Sequence, residues 1–247
     1  MTLRIAMWSG PRNISTAMMR AFENRDDTVV SDEPFYAAYL AMTGLDHPMR
    51  AEVLASQPND WRDVAATMTG PVPGGRPLWY QKHMSHHMID GIGLDWSDAC
   101  RNAFLIRAPE QVLASYVRKR SEVTLDDIGI VRQAELFDRV AQRSGSAPPV
   151  IESADVLAAP RQTLAMLCAA LGLAFSERML GWPAGPRASD GVWAPAWYDV
   201  VERSTGFASL PATTEAELPD ALKTIADAAR SFYDGMARWR LVAGAVS

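Results

Sequence analysis

Two short stretches place arginines and hydroxyls at spacings that suit the binding of an anion. In WSGPRNIST, the residues Gly10, Pro11, Arg12, Asn13, Ile14, Ser15 and Thr16 lie between an apolar run ending at Trp8 and a helical pattern that begins near Asn13 to Ser15. A strand that turns sharply into a helix aims backbone N–H groups and the positive helix end at whatever the turn encloses, which suits a phosphate or sulfate. The alternative is a plain strand-to-helix turn with Ser15 as its cap. An ATPase loop would carry G-x-x-x-x-G-K-[ST] with its lysine on the β- and γ-phosphates. Here Arg12 comes early and Ile14 stands where a second glycine would, which speaks against ATP hydrolysis. In FLIRAPEQVLASY, a strand delivers Arg107, Pro109 opens a helix, and Ser115 follows eight residues after the arginine, so that both could grip one phosphate.

Group transfer to an acceptor also needs a base, and a cation for the charge on the leaving group. Glu33 follows an apolar run in VVSDEPFY, and Pro34, Phe35 and Tyr36 beside it would exclude water and raise its pKa toward useful basicity. His83 in QKHMSHH is the rival base, because an imidazole titrates near neutrality. Lys82, one of only three lysines, is a second cation beside Arg12, or else a solvated strand-end lysine. His86 and His87 are neighbours whose side chains should diverge, so a polar helix start is preferred to a metal site, and no metal is expected.

These residues have to be positioned by elements. Apolar, β-rich runs LRIAMW, TVVS, LWYQKHM, NAFLIR and PPVIES alternate with helical patterns, the signature of a mostly parallel sheet with crossover helices. Ile14, Ala17, Met18, Ala21 and Phe22 fall at helical spacing, as do Val112, Tyr116, Val131, Leu136 and Val140 more loosely. APRQTLAMLCAALGLAF reads as a buried helix ended by Gly172, and Glu215 to Arg238 as a closing amphipathic helix. Residues 40–76 and 181–214 resist regular assignment and read as lid-like insertions. With DEPFYAAYLAM, the second of them supplies Phe35, Tyr36, Tyr39, Trp193, Trp197 and Tyr198, either as core packing or as the lining of a pocket for a small acceptor.

At 247 residues and 48% hydrophobic composition, the whole of 1–247 is read as one α/β domain. A net charge of −5 gives no general attraction to nucleic acid or an anionic membrane, so neither is expected as a partner and anion binding must be built locally. Cys100 and Cys168 lie far apart without metal-ligand spacing, which suits the cytoplasm and disfavours a disulfide framework. No basic segment followed by an apolar run opens the chain, and no stretch approaches the roughly 20 apolar residues of a membrane span, so a soluble protein is expected. A homodimer is left open.

The two loops together resemble the sulfotransferase superfamily that uses 3′-phosphoadenosine 5′-phosphosulfate (PAPS). Its first loop, P-[KR]-[ST]-G-[TS]-[TS], is matched by Pro11, Arg12, Ser15 and Thr16, with Asn13 and Ile14 in place of the hydroxyl and glycine. Its second, R-x-P-x-x-x-x-x-S, is matched by Arg107, Pro109 and Ser115, and SADVLAAPRQTLAMLCAALGL is similar to a later strand-loop-helix passage. The resemblance implies a P-loop-type three-layer α/β fold and transfer of a sulfuryl group to a small hydroxyl- or amine-bearing acceptor, without metal, leaving adenosine 3′,5′-bisphosphate. It implies the 5′-phosphosulfate on Arg12 and the Ser15–Thr16 turn, the 3′-phosphate on Arg107 and Ser115, and Arg187 in GPRASDG as a remnant of the loop that covers that phosphate. Two alternatives stand beside it. A P-loop kinase is disfavoured by the absent Gly-Lys and by the lack of an obvious strand-end aspartate for magnesium. A non-catalytic adenine-nucleotide-binding module would keep the fold with an altered loop.

Overall fold

The computed structural model describes residues 2–117, 123–207 and 218–242. Five strands, β1 Leu3–Ser9, β2 Thr28–Asp32, β3 Leu78–Met84, β4 Arg101–Ile106 and β5 Val150–Glu152, form one sheet in the order β2-β3-β1-β4-β5. All four pairings are parallel. All five strands foreseen from the apolar runs are present, and the sheet is α/β and parallel throughout. A parallel sheet needs both faces covered, which is why these strands read as continuous apolar runs rather than alternating ones. Along β1, Ile5 and Met7 face one core layer while Ala6 and Trp8 face the other.

The helices are α1 Ser15–Glu23, α2 Tyr36–Thr43, α3 Arg50–Ser56, α4 Trp61–Thr69, α5 Pro109–Tyr116, α6 Ile130–Ser144, α7 Ser153–Ala158, α8 Pro160–Ala170, α9 Ala194–Trp197, α10 Asp199–Glu202 and α11 Asp220–Ala237. Met18 and Phe22 of α1, Val156 of α7 and Leu164 and Leu167 of α8 cover one face. Val64 and Met68 of α4, Val112 of α5, Leu136 and Phe137 of α6 and Ala229 and Met236 of α11 cover the other. Three layers result. A third, separate cluster gathers Tyr36, Tyr39, Leu40, Val53, Trp193 and Tyr198 at the carboxyl edge of the sheet.

Gly172 ends α8 as foreseen, at φ +65°, with its N–H on the Ala169 carbonyl and the Leu173 N–H on that of Cys168. Two expectations need correction. Residues 40–76 are not irregular, since they hold α3 and α4, the latter capped by Asp60, whose carboxylate accepts the Arg62 N–H at 2.8 Å. Helices of seven and nine residues make barely two turns, too short for a period to stand out. The closing helix starts at Asp220, because Pro219 stands just outside its first turn. The residues 215–217 of that expectation, and 208–214 of the second insertion, lie outside the described residues.

The C-terminal helix is tied to the sheet by a buried acid. Glu152, at the end of β5, accepts the Tyr233 hydroxyl of α11 at 2.8 Å, and burial pushes its carboxyl from 4.5 up to about 7. The folded chain therefore holds this proton where the unfolded chain has released it. Stability from this group is complete below about pH 4.5 and is lost as pH rises to about 7, by up to about 3 kcal/mol. Glu152→Gln keeps an acceptor for Tyr233 without a titrating proton. In urea unfolding at pH 5 and pH 8, the variant is expected to lose less stability across the interval than the parent, and equal losses in both would contradict this role for Glu152.

Candidate active site

Because every strand is parallel, the residues that leave the strands all emerge at one edge. In sheet order they are Glu33 after β2, Lys82 near the end of β3, the 10–14 turn after β1, Arg107 after β4 and Glu152 at the end of β5. Strands stand about 4.8 Å apart, so Glu33 lies two strands, or about 10 Å, from the turn that precedes α1. Sheets of this kind bind their ligands at this edge.

The turn itself is built tightly. A Cβ at Gly10 would stand 2.5 Å from the Ile128 carbonyl oxygen, so only glycine fits there. Arg12 and Ile14 both have positive φ, 62° and 57°. A left-handed β-branched residue costs about 1–2 kcal/mol, so the turn holds at Ile14 the kind of backbone that glycine adopts freely. No side chain caps the first turn of α1, which leaves its N–H groups aimed at the enclosed space. Ser15 is therefore not the cap that the plain-turn alternative required. Asn13 anchors the turn from beneath, donating to the Leu105 carbonyl at 3.2 Å, while Ser153 Oγ donates to the Asn13 carbonyl at 3.1 Å.

The two arginine motifs meet. Arg12 Nε donates to Ser115 Oγ at 3.0 Å, and Arg107 Nη1 donates to the Arg12 carbonyl at 2.6 Å while its Nε reaches Gln111 at 3.2 Å. A concavity lined by Asn13, Arg107, Pro109, Val112, Ile128, Ile130 and Gln133 adjoins them. Residues 95 and 103 positions apart thus form one cationic cradle at the positive end of α1.

On the neighbouring strands β3 and β2 lies a buried ionic cluster. Lys82 Nζ donates to Asp32 Oδ1 at 2.8 Å, to Glu33 Oε1 at 2.8 Å and to the Tyr198 hydroxyl at 2.6 Å. Burial works against the ammonium, but the neighbouring Asp32 and Glu33 outweigh it and hold Lys82 well above the ordinary lysine value. Burial raises the Glu33 carboxyl, the Lys82 ammonium opposes this, and Asp32 adds to the rise; the net direction is upward. Glu33 therefore takes a proton more readily than an ordinary glutamate does. Its own backbone is left-handed at φ 41°, and Gln57 Nε2 donates to its carbonyl at 3.1 Å.

A family model described as a sulfotransferase domain matches residues 3–239. The chain belongs to the sulfotransferase domain family. Two proteins of Arabidopsis thaliana, named branched-chain-amino-acid aminotransferase-like proteins 2 and 1, are 35% and 37% identical to it over 205 and 206 residues, 83% of this chain in each case. The matches cover only 36% of either plant protein, so the chain spans about a third of the length of these relatives. Among solved structures, the sulfotransferase domain from the curacin biosynthetic pathway superposes with a TM-score of 0.59 at 18% identity, over 94% of this chain and 97% of that one. At that identity the likeness concerns the fold.

Within this sulfotransferase domain, the remaining sequence candidates divide. Tyr36, Tyr39 and Trp193 gather beside Glu33: Tyr36 and Tyr39 stack on His87 at 4.7 and 4.8 Å between centroids, and Trp193 meets Tyr36 edge-on at 5.1 Å. Phe35 does not join them. It packs on Trp96 at 4.9 Å in the core beneath. His83 lies on the opposite face of β3 from Lys82, among Trp8, Trp96 and Phe35, where burial drives its imidazole down to about 3. Strand alternation thus puts His83 on the face of β3 away from Lys82, and with it away from Glu33. Lys82 is held by carboxylates rather than standing open to a leaving phosphate. Arg187 faces Glu23 at 3.4 Å, at the other end of α1, about 12 Å along the axis from the turn. There Arg20 pairs with Asp190 at 2.8 Å.

Four functional-looking residues were missed or misplaced. Asp32 is a strand-end aspartate after all, and Tyr198 was grouped only with the aromatics. His86 and His87 do not diverge: their rings meet at 4.4 Å, and His87 is buried with Nε2 3.9 Å from Glu33 Oε2. Burial lowers its imidazole well below the ordinary value, and His86 and His47 nearby add to this. A short helical turn, Ser85–His87, does start here, but its imidazoles pack edge-on in a ring cluster in which His87 is buried. Among the described residues, no group of His, Cys, Asp or Glu is placed to hold a metal ion, and no helix is long and apolar enough to cross a membrane.

Proposed function

We propose that this domain transfers a sulfuryl group from PAPS to a small acceptor bearing a hydroxyl or amine. The observation that carries the proposal is the single cradle in which Arg12, Arg107 and Ser115 meet at the uncapped start of α1. Two guanidiniums and a helix N-terminus in one place suit a ligand that brings more than one anionic group, as a 3′-phosphorylated phosphosulfate does. The acceptor comes from the Glu33 side. Its oxygen or nitrogen forms a bond to sulfur as the bond from sulfur to the 5′-phosphate oxygen breaks. The released electron pair stays on the phosphate, where Arg12 and the N–H groups of α1 stabilise it, and the acceptor's proton passes to Glu33.

A phosphotransferase reading is weaker for a reason the sequence did not supply. Asp32 is the strand-end carboxylate that magnesium would need, yet Lys82, Tyr198 and the Gly191 N–H already occupy it. The test is conversion of PAPS to adenosine 3′,5′-bisphosphate with a panel of small alcohols, phenols and amines, followed by chromatography. Acceptor-dependent release of the bisphosphate is expected. Consumption of Mg-ATP with the same panel, and none of PAPS, would overturn the proposal in favour of a kinase.

A further inference from the structure

Lys82 and Glu33 do not settle their own geometry. Tyr198, between α9 and α10, places its hydroxyl 2.7 and 2.9 Å from the two oxygens of Asp32 and 2.6 Å from Lys82 Nζ, and Trp193 Nε1 lies 3.1 Å away. The phenol has one proton, and neither the ammonium nor the indole can accept it. That proton therefore goes to Asp32, while the phenol oxygen accepts from Lys82 and Trp193. Asp32 takes two more donors, Lys82 at 2.8 Å and the Gly191 N–H at 3.0 Å. An ammonium has three N–H bonds to give, and here all three are given: to Asp32, to Tyr198 and to Glu33 Oε1. With the first two directions fixed, the third falls on Oε1. The other oxygen of Glu33, Oε2, is left facing His87.

We propose that Tyr198 is a positioning residue for proton transfer: its hydroxyl, anchored on Asp32, holds the Lys82 ammonium on Glu33 Oε1 and leaves Oε2 to take the acceptor's proton. The inference rests on Glu33 being the base, but its test does not. The charged and titratable groups facing Glu33 are Asp32 from β2, Lys82 from β3, His87 from the turn after β3, and Tyr198 itself. In Tyr198→Phe, Asp32 loses a donor and Lys82 loses an acceptor, so the freed N–H turns to Asp32 and the ammonium leans away from Glu33. The Glu33 carboxyl then becomes more basic.

Carboxyl carbon NMR of the full chain labelled at glutamate reads this directly, with the Glu33 signal assigned by its loss in Glu33→Gln. The titration midpoint of Glu33 is expected to rise by about one pH unit in Tyr198→Phe. In Trp193→Phe, which removes one donor to the phenol, it should rise by less, and this variant decides the matter if Tyr198→Phe does not fold. An unchanged or lowered midpoint overturns the proposal, because a merely structural tyrosine would alter melting without moving Glu33. Failure of Glu33 as the base would show elsewhere, as full turnover in Glu33→Gln with the NMR result intact.

Discussion

Glu33→Gln is expected to lower turnover with PAPS by about 10²–10⁴-fold, the usual contribution of a positioned general base. The side chain is partly buried beside Lys82 and Asp32, and glutamine keeps an oxygen for the Lys82 ammonium to donate to, so the fold and the Asp32 anchor should survive. Nucleotide affinity should change little, since the cradle is about 10 Å away. The pH profile gives a second readout. The base works deprotonated, so kcat/KM rises with pH through the Glu33 carboxyl, whose pKa burial has moved above the ordinary carboxylate value, and this limb disappears in the glutamine variant. His83→Asn is expected to do less to turnover, because that imidazole faces away among tryptophans. The reverse order of the two effects would move the base to His83.

Arg12→Ala is expected to weaken binding of adenosine 3′,5′-bisphosphate by about 10- to 100-fold, the equivalent of one hydrogen-bonded charge at about 1.5–3 kcal/mol. The same change releases Ser115, which Arg12 holds, and so loosens the far side of the cradle. Arg107→Ala acts on both counts as well, since Arg107 supports the Arg12 carbonyl from β4. If Arg107 and Ser115 bind the 3′-phosphate, the affinity ratio between the bisphosphate and AMP collapses in Arg107→Ala. An unaltered ratio in calorimetry would place the 3′-phosphate elsewhere.

The elements of the sheet were legible because burial on both faces leaves long apolar runs, and Pro109 and Gly172 mark helix ends by their backbone chemistry. Arg12 and Arg107 were legible for a similar reason, since each follows a readable strand. What spacing along the chain could not give was partnership across it. The two-residue period of β3 sends the sequence neighbours Lys82 and His83 to opposite faces, but it does not say which face meets Asp32 and Tyr198. Asp32 and Tyr198 are 166 positions apart and meet only once β2 and the α9–α10 segment have folded. Phe35 differs from Tyr36 by one position, and the start of α2 turns the first into the core and the second toward His87. The α3 and α4 helices stayed hidden because the packing that stabilises them, Val53 and Val64 against different clusters, lies outside their own short sequences.

The measurement that bears most directly on the donor is calorimetry of the full chain with adenosine 3′,5′-bisphosphate and, separately, with Mg-ATP and AMP. The cradle of Arg12, Arg107 and Ser115 predicts that the bisphosphate binds tightest of the three, and that Arg12→Ala and Arg107→Ala each remove most of that preference. Tighter binding of Mg-ATP, unaffected by either substitution, would contradict the assignment of PAPS as donor and of these arginines as its holders.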